Sequence, residues 1–141
     1  MNVQPIRADE EFREFWNSRH PSTLADFGFD PDDGEFFAFE RRGDSGAIDS
    51  AAIFVPLRQD GRTFGHHVHL CSDLHGKLLF MWCNLVMIAV MDLPEVGLVA
   101  CETQGKPELK KAERIAQALG FEPIFVERTG WIDWVWNSKA A

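Results

Sequence analysis

One short stretch concentrates the reactive side chains of this chain. It reads GHHVHLCSDLHGKLL, spans residues 65 to 79, and holds four histidines, a cysteine, an aspartate and a lysine. Imidazole and thiolate groups bind metal ions, and imidazole also accepts protons near neutral pH. A glycine-containing turn ahead of a helix binds anions. Three interpretations are therefore open: a metal site, a base beside an anion-binding turn, or an ordinary strand-to-helix junction.

The alternation of a β-strand sorts the histidines into two faces. Residues two apart share a face, so we expect His67, His69 and Cys71 together on one side of the strand. His66 then lies on the other side, among apolar neighbours. The first face suits a zinc site, because imidazole and thiolate are good Zn²⁺ ligands. A metal-binding protein is thus one hypothesis, although the chain has no CxxC or HxxxH pair to support it.

The residues after the histidines predict the start of a long helix. Their apolar run from Leu78 to Met91 is shorter than the roughly 20 residues that a membrane span needs, so we expect a buried helix over residues 74–91. The N-terminus of such a helix offers unpaired backbone N–H groups to an anion. The simpler alternative is that Ser72 or Asp73 caps a core helix.

Hydrophobic periodicity and turn signals predict the elements that must position this stretch. Helices are expected at 9–20, 74–91 and 106–120, and strands at 2–7, 35–42, 47–57, 62–71, 95–103, 122–128 and 131–138. Three strands linked by hairpins, followed by a strand–helix–strand crossover, imply a mixed sheet. We therefore predict a single α/β (α+β) domain over residues 1–141, with a mixed, mostly antiparallel central sheet flanked by helices.

Composition narrows the classes of function. The chain has 141 residues and a net charge of −8, which argues against a broad nucleic-acid or anionic-membrane surface. Its three cysteines have no framework spacing, which favours reduced thiols. The N-terminus MNVQPIRADEEF has no apolar leader, so a cytoplasmic location is expected.

Two local signatures and the order of elements resemble the GNAT (GCN5-related N-acetyltransferase) superfamily. A strand followed by SDLHGKLL and a long helix looks like the acyl-CoA turn of that family. The segment ERIAQALGF is similar to the family's last helix, which commonly ends in Gly-Phe before a closing hairpin. The resemblance covers nearly the whole chain, and it implies the GNAT-like acyl-CoA N-acyltransferase fold with acetyl-CoA as co-substrate.

The resemblance also implies which residues hold the cofactor. The family pattern is Arg or Gln, two residues, Gly, one residue, then Gly or Ala. His75 takes the first position, Gly76 and Lys77 match a frequent opening, and the bulky Leu78 and Phe80 stand where small residues are expected. These departures predict a reshaped loop or a weaker grip on the pyrophosphate. The full set of expected cofactor-binding residues is Leu70, Cys71, His75, Gly76, Lys77, Leu78 and Leu79.

The same resemblance to the GNAT superfamily implies candidate catalytic residues. His66 matches a histidine position of the arylalkylamine type of the family, and its apolar face would lower its pKa and keep it a neutral proton acceptor. His67 and His69 are the other candidate bases. The family's usual general acid is a tyrosine, but the chain contains no Tyr. Protonation of the leaving thiolate would then need Cys101, Ser138 or a water molecule, and Cys101 is the candidate catalytic residue among them.

We expect an acyl-CoA-dependent N-acetyltransferase that acts on a small or apolar amine, or on a peptide amine. The alternative is a catalytically silent domain of the same fold that serves as a binding module. The metal-binding protein described above is the third hypothesis. If the chain self-associates, we expect a homodimer.

Overall fold

A computed structural model describes residues 3–104, 110–124 and 131–137, with side chains at 3–101 and 114–122. The helices are α1 (Glu10–Arg19), α2 (Gly76–Met91) and α3 (Lys110–Ala118). The strands are β1 (Phe37–Arg42), β2 (Ile48–Gln59), β3 (Arg62–Ser72), β4 (Leu98–Gln104), β5 (Glu122–Ile124) and β6 (Trp131–Asn137). Residues 106–109 of the predicted helix and residues 125–128 of the predicted strand lie outside the described residues.

The strands form one mixed sheet in the order β1-β2-β3-β4-β6-β5. Every neighbouring pair is antiparallel except β3 and β4, which are parallel because α2 lies between them in the chain. This arrangement confirms the predicted mixed, mostly antiparallel sheet. The expected opening strand is wrong, because residues 3–7 contribute only an isolated bridge from Ile6 to Ala38. Pro5 removes one backbone donor from that segment, which shortens the possible ladder.

Helices cover both faces of the sheet. On one face α1 packs over a core that includes Ile53 of β2 and Cys71 of β3. On the other face α2 and α3 pack over a second core with Phe54 of β2 and Val99 of β4. The alternation of side chains along each strand separates the two cores.

The sequence of α1 explains where it begins and how it packs. The side chain of Asp9 caps the helix by accepting the Phe12 N–H at 2.9 Å. Phe12, Phe15 and Trp16 form its buried stripe. The helix ends at Arg19, one residue earlier than predicted, because His20 adopts an extended conformation as the C-terminal cap. This turn directs the chain after α1 back toward β3.

The parallel contact between β3 and β4 is short. It comprises the pairs His66–Val99 and His67–Ala100, although both strands continue beyond them. Close approach at this point depends on Gly65, where a Cβ atom would lie 2.9 Å from the Leu98 carbonyl oxygen. Past these pairs the two strands part.

The helices in the described part of the chain are short. The most apolar of them, α2, has 16 residues. None in those ranges is both long and apolar enough to cross a bilayer.

Candidate functional site

A cavity of about 690 Å³ lies where β3 and β4 part. Its wall includes residues from both faces of the sheet. From the α1 face come His20, Pro21, Ser22, Phe27 and His69. From the other face and its helices come Ala52, Phe54, Val68, Leu70, Leu79, Trp82, Cys83, Val86, Met87, Cys101, Ile115, Ala116, Leu119 and Phe121.

Aromatic and imidazole rings surround the α1 end of this cavity. The Phe27 ring stacks on His69 with the centroids 4.1 Å apart, and its edge meets His20 at 5.5 Å. His67 packs against His69 at 4.2 Å, and Trp16 stacks on His20 at 4.8 Å. Sequence reasoning missed His20 and Phe27, because only the turn after α1 brings them to β3.

His69 is the predicted strand histidine that lines the cavity. Its pKa is lowered to about 3, mainly by burial and in addition by the neighbouring His67 and His20. The pKa of His20 is also lowered by burial. Both imidazoles are therefore neutral at physiological pH. Nδ1 of His20 lies 3.1 Å from the Ser22 backbone N and O, whereas His69 offers one nitrogen lone pair to a ligand proton.

His66 has different surroundings from His69. It is completely buried, its ring lies 5.3 Å from that of Phe37, and its Nε2 is 2.8 Å from the Glu35 carbonyl oxygen. Burial lowers the pKa of His66, as predicted from its apolar face. It is absent from the described residues that line the cavity. We therefore interpret His66 as a residue that holds the Glu35 segment against β3, and not as one that contacts a ligand.

The metal hypothesis is wrong for the described residues. His67 and His69 do share a face with Cys71, but no group of three His, Cys, Asp or Glu side chains in that part of the chain could hold a metal ion. The Cys71 thiol is buried against α1, and burial raises its pKa to about 12.

The start of α2 is open to solvent. His75 is the N-terminal cap residue and makes no side-chain capping bond, and the first turn contains no acidic residue. Gly76 has φ +58°, a conformation that favours glycine, and Gly76, Lys77 and Leu78 are all exposed. Backbone N–H groups at this turn can therefore be approached by an anionic ligand.

The simpler interpretation of Ser72 and Asp73 as helix caps is wrong. The Ser72 hydroxyl accepts the Leu74 N–H at 3.0 Å and lies 2.6 Å from the Ser50 hydroxyl, so it organises the end of β3. The Asp73 carboxylate accepts from Arg19 Nε at 2.9 Å, which ties this turn to the end of α1. Both side chains hold the junction while leaving α2 uncapped.

The predicted cofactor residues separate into two groups. Leu70 at the end of β3 and Leu79 in the first turn of α2 line the cavity. The others do not: residues 75–78 form the exposed turn between these two leucines, and Cys71 faces the α1 core. The bulky Leu78 does not fill the cavity, because its side chain is 55% exposed. The turn and the cavity are thus adjacent, with Leu79 belonging to both.

Two further polar groups line the same cavity. Cys101 on β4 is half-buried there, across the gap from β3. Trp82 of α2 is almost fully buried, and its indole Nε1–H has no hydrogen-bond partner within the described residues. A buried donor without a partner is costly, so a ligand acceptor that reached Nε1 after a small movement of the ring would be stabilising. The sequence offered no signal for Trp82 beyond its apolar helix.

Known proteins resemble this chain in structure and not in sequence. No family model matches the sequence, and no curated protein sequence matches it significantly. The GNAT domain of S. lividans PAT superposes with a TM-score of 0.66 at 14% identity, covering 96% of this chain and 89% of that one. Campylobacter jejuni N-acetyltransferase PseH, in complex with acetyl coenzyme A, gives 0.63 at 14% identity over 97% and 98%.

A third structure extends the likeness. A spermidine N-acetyltransferase SpeG chimera from Vibrio cholerae and hSSAT gives a TM-score of 0.69 at 7% identity, covering 99% of this chain and 98% of that one. Identities this low carry no information about the substrate, but the superpositions extend over nearly all of each chain. The chain therefore has the fold of the GNAT N-acetyltransferases.

Proposed function

We propose that the chain is an acyl-CoA-dependent N-acetyltransferase that uses acetyl-CoA as co-substrate. The observation that carries this proposal is the parting of β3 and β4, which opens a cavity between the α1 face and the first turn of α2. Such a cavity gives a thioester and an amine access to each other from opposite faces of the sheet. The presence of acetyl coenzyme A in the PseH structure supports the choice of co-substrate.

The cofactor would be held at two places. Its pyrophosphate would lie against the backbone N–H groups of residues 76–80, where the helix dipole and the exposed Lys77 favour negative charge. Its pantetheine arm would run along Leu79 and Leu70 into the cavity. The Trp82 indole N–H would donate to a carbonyl oxygen of the arm, which would satisfy a donor that is otherwise buried without a partner.

His69, rather than His66, is the proton acceptor that we propose. His69 lines the cavity, whereas His66 is enclosed by Phe37 and the Glu35 carbonyl. In the reaction the amine nitrogen attacks the thioester carbonyl, a C–N bond forms and the C–S bond breaks. The proton lost by the nitrogen goes to His69, and the leaving thiolate takes a proton from Cys101, either directly or through water. His67 would support the ring of His69 rather than accept the proton itself.

Calorimetry with CoA is the direct test of this function. We expect saturable binding of CoA to the purified chain, and release of free CoA from acetyl-CoA when an amine acceptor is added. Binding without turnover for any amine would favour the silent binding module, for which the missing tyrosine and the bulky Leu78 already argue. No heat and no thermal shift at millimolar CoA would overturn the proposal.

We also propose that residues 1–141 work as a single cytoplasmic domain. Cys71 and Cys83 are buried free thiols, which fits a reducing compartment. A homodimer stays a prediction, and the apolar residues on the exposed side of α2, among them Met81, Ile88 and Met91, are the surface on which to test it. Sedimentation of wild type and of Ile88→Glu over a range of concentrations would detect self-association through this surface.

A further inference from the structure

The end of the cavity on the α1 face is built from rings. Phe27 stacks on His69 at 4.1 Å, and His20 meets the Phe27 edge at 5.5 Å and the His69 ring at 6.3 Å. The ring surfaces that face the cavity favour a flat, apolar occupant, because it can make stacked or edge-to-face contacts with them. We define this group of His20, Phe27 and His69 as the ring cluster.

The cavity carries no formal charge. None of the described residues in its wall is Asp, Glu, Lys or Arg. Its two histidines, His20 and His69, both have a pKa lowered by burial, so they are neutral at physiological pH. An alkylammonium ion placed here would lose its hydration without gaining a carboxylate, which is strongly unfavourable. The site therefore selects against amines that are protonated at neutral pH.

From these two observations we infer that the acceptor is an uncharged aromatic amine, whose nitrogen is too weakly basic to be protonated at neutral pH. This inference rests on the proposed acetyltransferase function and names its substrate class. The ring of the acceptor would lie in the cavity against the ring cluster, and its N–H would donate to the neutral imidazole of His69.

The weak basicity of His69 agrees with this class of acceptor. An alkylammonium would have to lose a proton before it could attack, and a base with a pKa near 3 cannot take that proton efficiently. An aromatic amine already has a free lone pair. It becomes strongly acidic only when its nitrogen has bonded to the thioester carbon, at which point a weak base suffices. Attack forms the C–N bond, the C–S bond breaks, and one proton passes from nitrogen to the thiolate overall.

Aniline and cyclohexylamine form a matched pair of probes, because they have similar size but differ in charge at neutral pH. The release of free CoA from acetyl-CoA is measured with each amine at pH 7.5, and CoA binding is measured separately by calorimetry. We expect kcat/KM to be at least tenfold higher for aniline. Phe27→Leu should lower kcat/KM for aniline about fivefold or more while leaving the affinity for CoA unchanged.

The outcomes separate the two proposals. CoA binding together with faster transfer to cyclohexylamine would overturn the aromatic-amine inference and leave the acetyltransferase function standing. No CoA binding would overturn the proposed function itself. His20→Glu offers an independent check, since a carboxylate in the ring cluster should shift the preference toward cyclohexylamine. An unchanged preference in that variant would contradict selection by charge.

Discussion

The ring of Phe27 lies over the imidazole of His69, with 4.1 Å between centroids and 30° between planes. Phe27 belongs to the turn after α1, and His69 belongs to the middle of β3. Their contact closes one end of the cavity that opens between β3 and β4. It also removes His69 from water, which is the main cause of its lowered pKa. One packing contact thus shapes the cavity and sets the chemistry of its histidine.

Gly76→Ala should weaken CoA binding about tenfold. An alanine at φ +58° costs about 1–2 kcal/mol, and the turn can relieve this strain only by moving the N–H groups that would hold the pyrophosphate. The control is Gly61→Ala, at φ +75° in the β2–β3 turn, which introduces similar strain at the far end of the strands. Calorimetry should show equal CoA affinity for the control and wild type. Equal losses in both variants would mean that the effect is only one of stability.

His69→Gln should slow acetyl transfer by roughly 10²-fold, the low end of the range for a general base, because its pKa is far below neutrality. His66→Gln should leave kcat within about threefold of wild type, since general-base losses apply only to a group that reaches the substrate. Steady-state kinetics with acetyl-CoA and aniline measure both. A fully active His69→Gln and an inactive His66→Gln would return the proton-acceptor role to His66.

Trp82→Phe should lower the affinity for CoA about three- to tenfold, because one hydrogen bond contributes roughly 0.5–1.5 kcal/mol. The melting temperature should change little. The smaller ring loses some packing, but it also removes a buried N–H that lacks a partner in the described residues. Calorimetry and thermal unfolding of the same sample separate these effects. An unchanged dissociation constant would show that the indole N–H does not contact the cofactor.

Stability should fall as the pH is lowered from 7.5 to 5.5. The pKa of His69 is about 3 in the folded chain and about 6.5 when unfolded, so the unfolded state binds more protons throughout this window. His69 alone should account for a loss of about 1.4 kcal/mol in the free energy of unfolding over these two pH units. The stabilisation is present above pH 6.5 and is lost progressively toward pH 3.

Urea unfolding of His69→Gln at both pH values tests this assignment. The loss of unfolding free energy between pH 7.5 and pH 5.5 should be smaller in this variant than in wild type by about 1.4 kcal/mol. Phe29→Leu is the control, because it loosens packing on the α1 face through a ring that contacts Phe36 and keeps Phe27 and every histidine in place. If His69→Gln and wild type lose stability equally, the imidazole of His69 must be protonated without unfolding.

Gly65→Ala should destabilise the chain by about 1–3 kcal/mol and reduce acetyl transfer. The added Cβ would lie 2.8 Å from the Leu98 Cδ2 atom and 2.9 Å from the Leu98 carbonyl oxygen, so β3 and β4 would have to separate at their only described pairs. Gly34→Ala is the control, since nothing lies within 4 Å of its added Cβ. Equal unfolding midpoints for the two variants would show that the close approach at Gly65 is not needed.

Much of the architecture follows from patterns local in sequence. The spacing of Phe12, Phe15 and Trp16 predicts α1, and the Asp60-Gly61 pair predicts the β2–β3 turn, where both residues have positive φ. The alternation of β3 places His67 and His69 on the face opposite His66 and Val68. Gly120 ends α3 at φ +93°, as its position after the apolar stripe predicts. Each of these features depends on neighbours within a few residues, so the sequence contains all of the relevant information.

The site depends on contacts between distant parts of the chain. The strand pattern puts His66 and His69 on opposite faces, but only the point at which β3 parts from β4 decides which of them borders the cavity. His20 and Phe27 reach the site through the turn after α1, some 40 residues before β3. The sequence determines the order of helices and strands, and this order is compatible with only a small number of folds. The burial that lowers the pKa of His69 arises only when those elements pack, because desolvation is a property of the surrounding atoms and not of the residue itself.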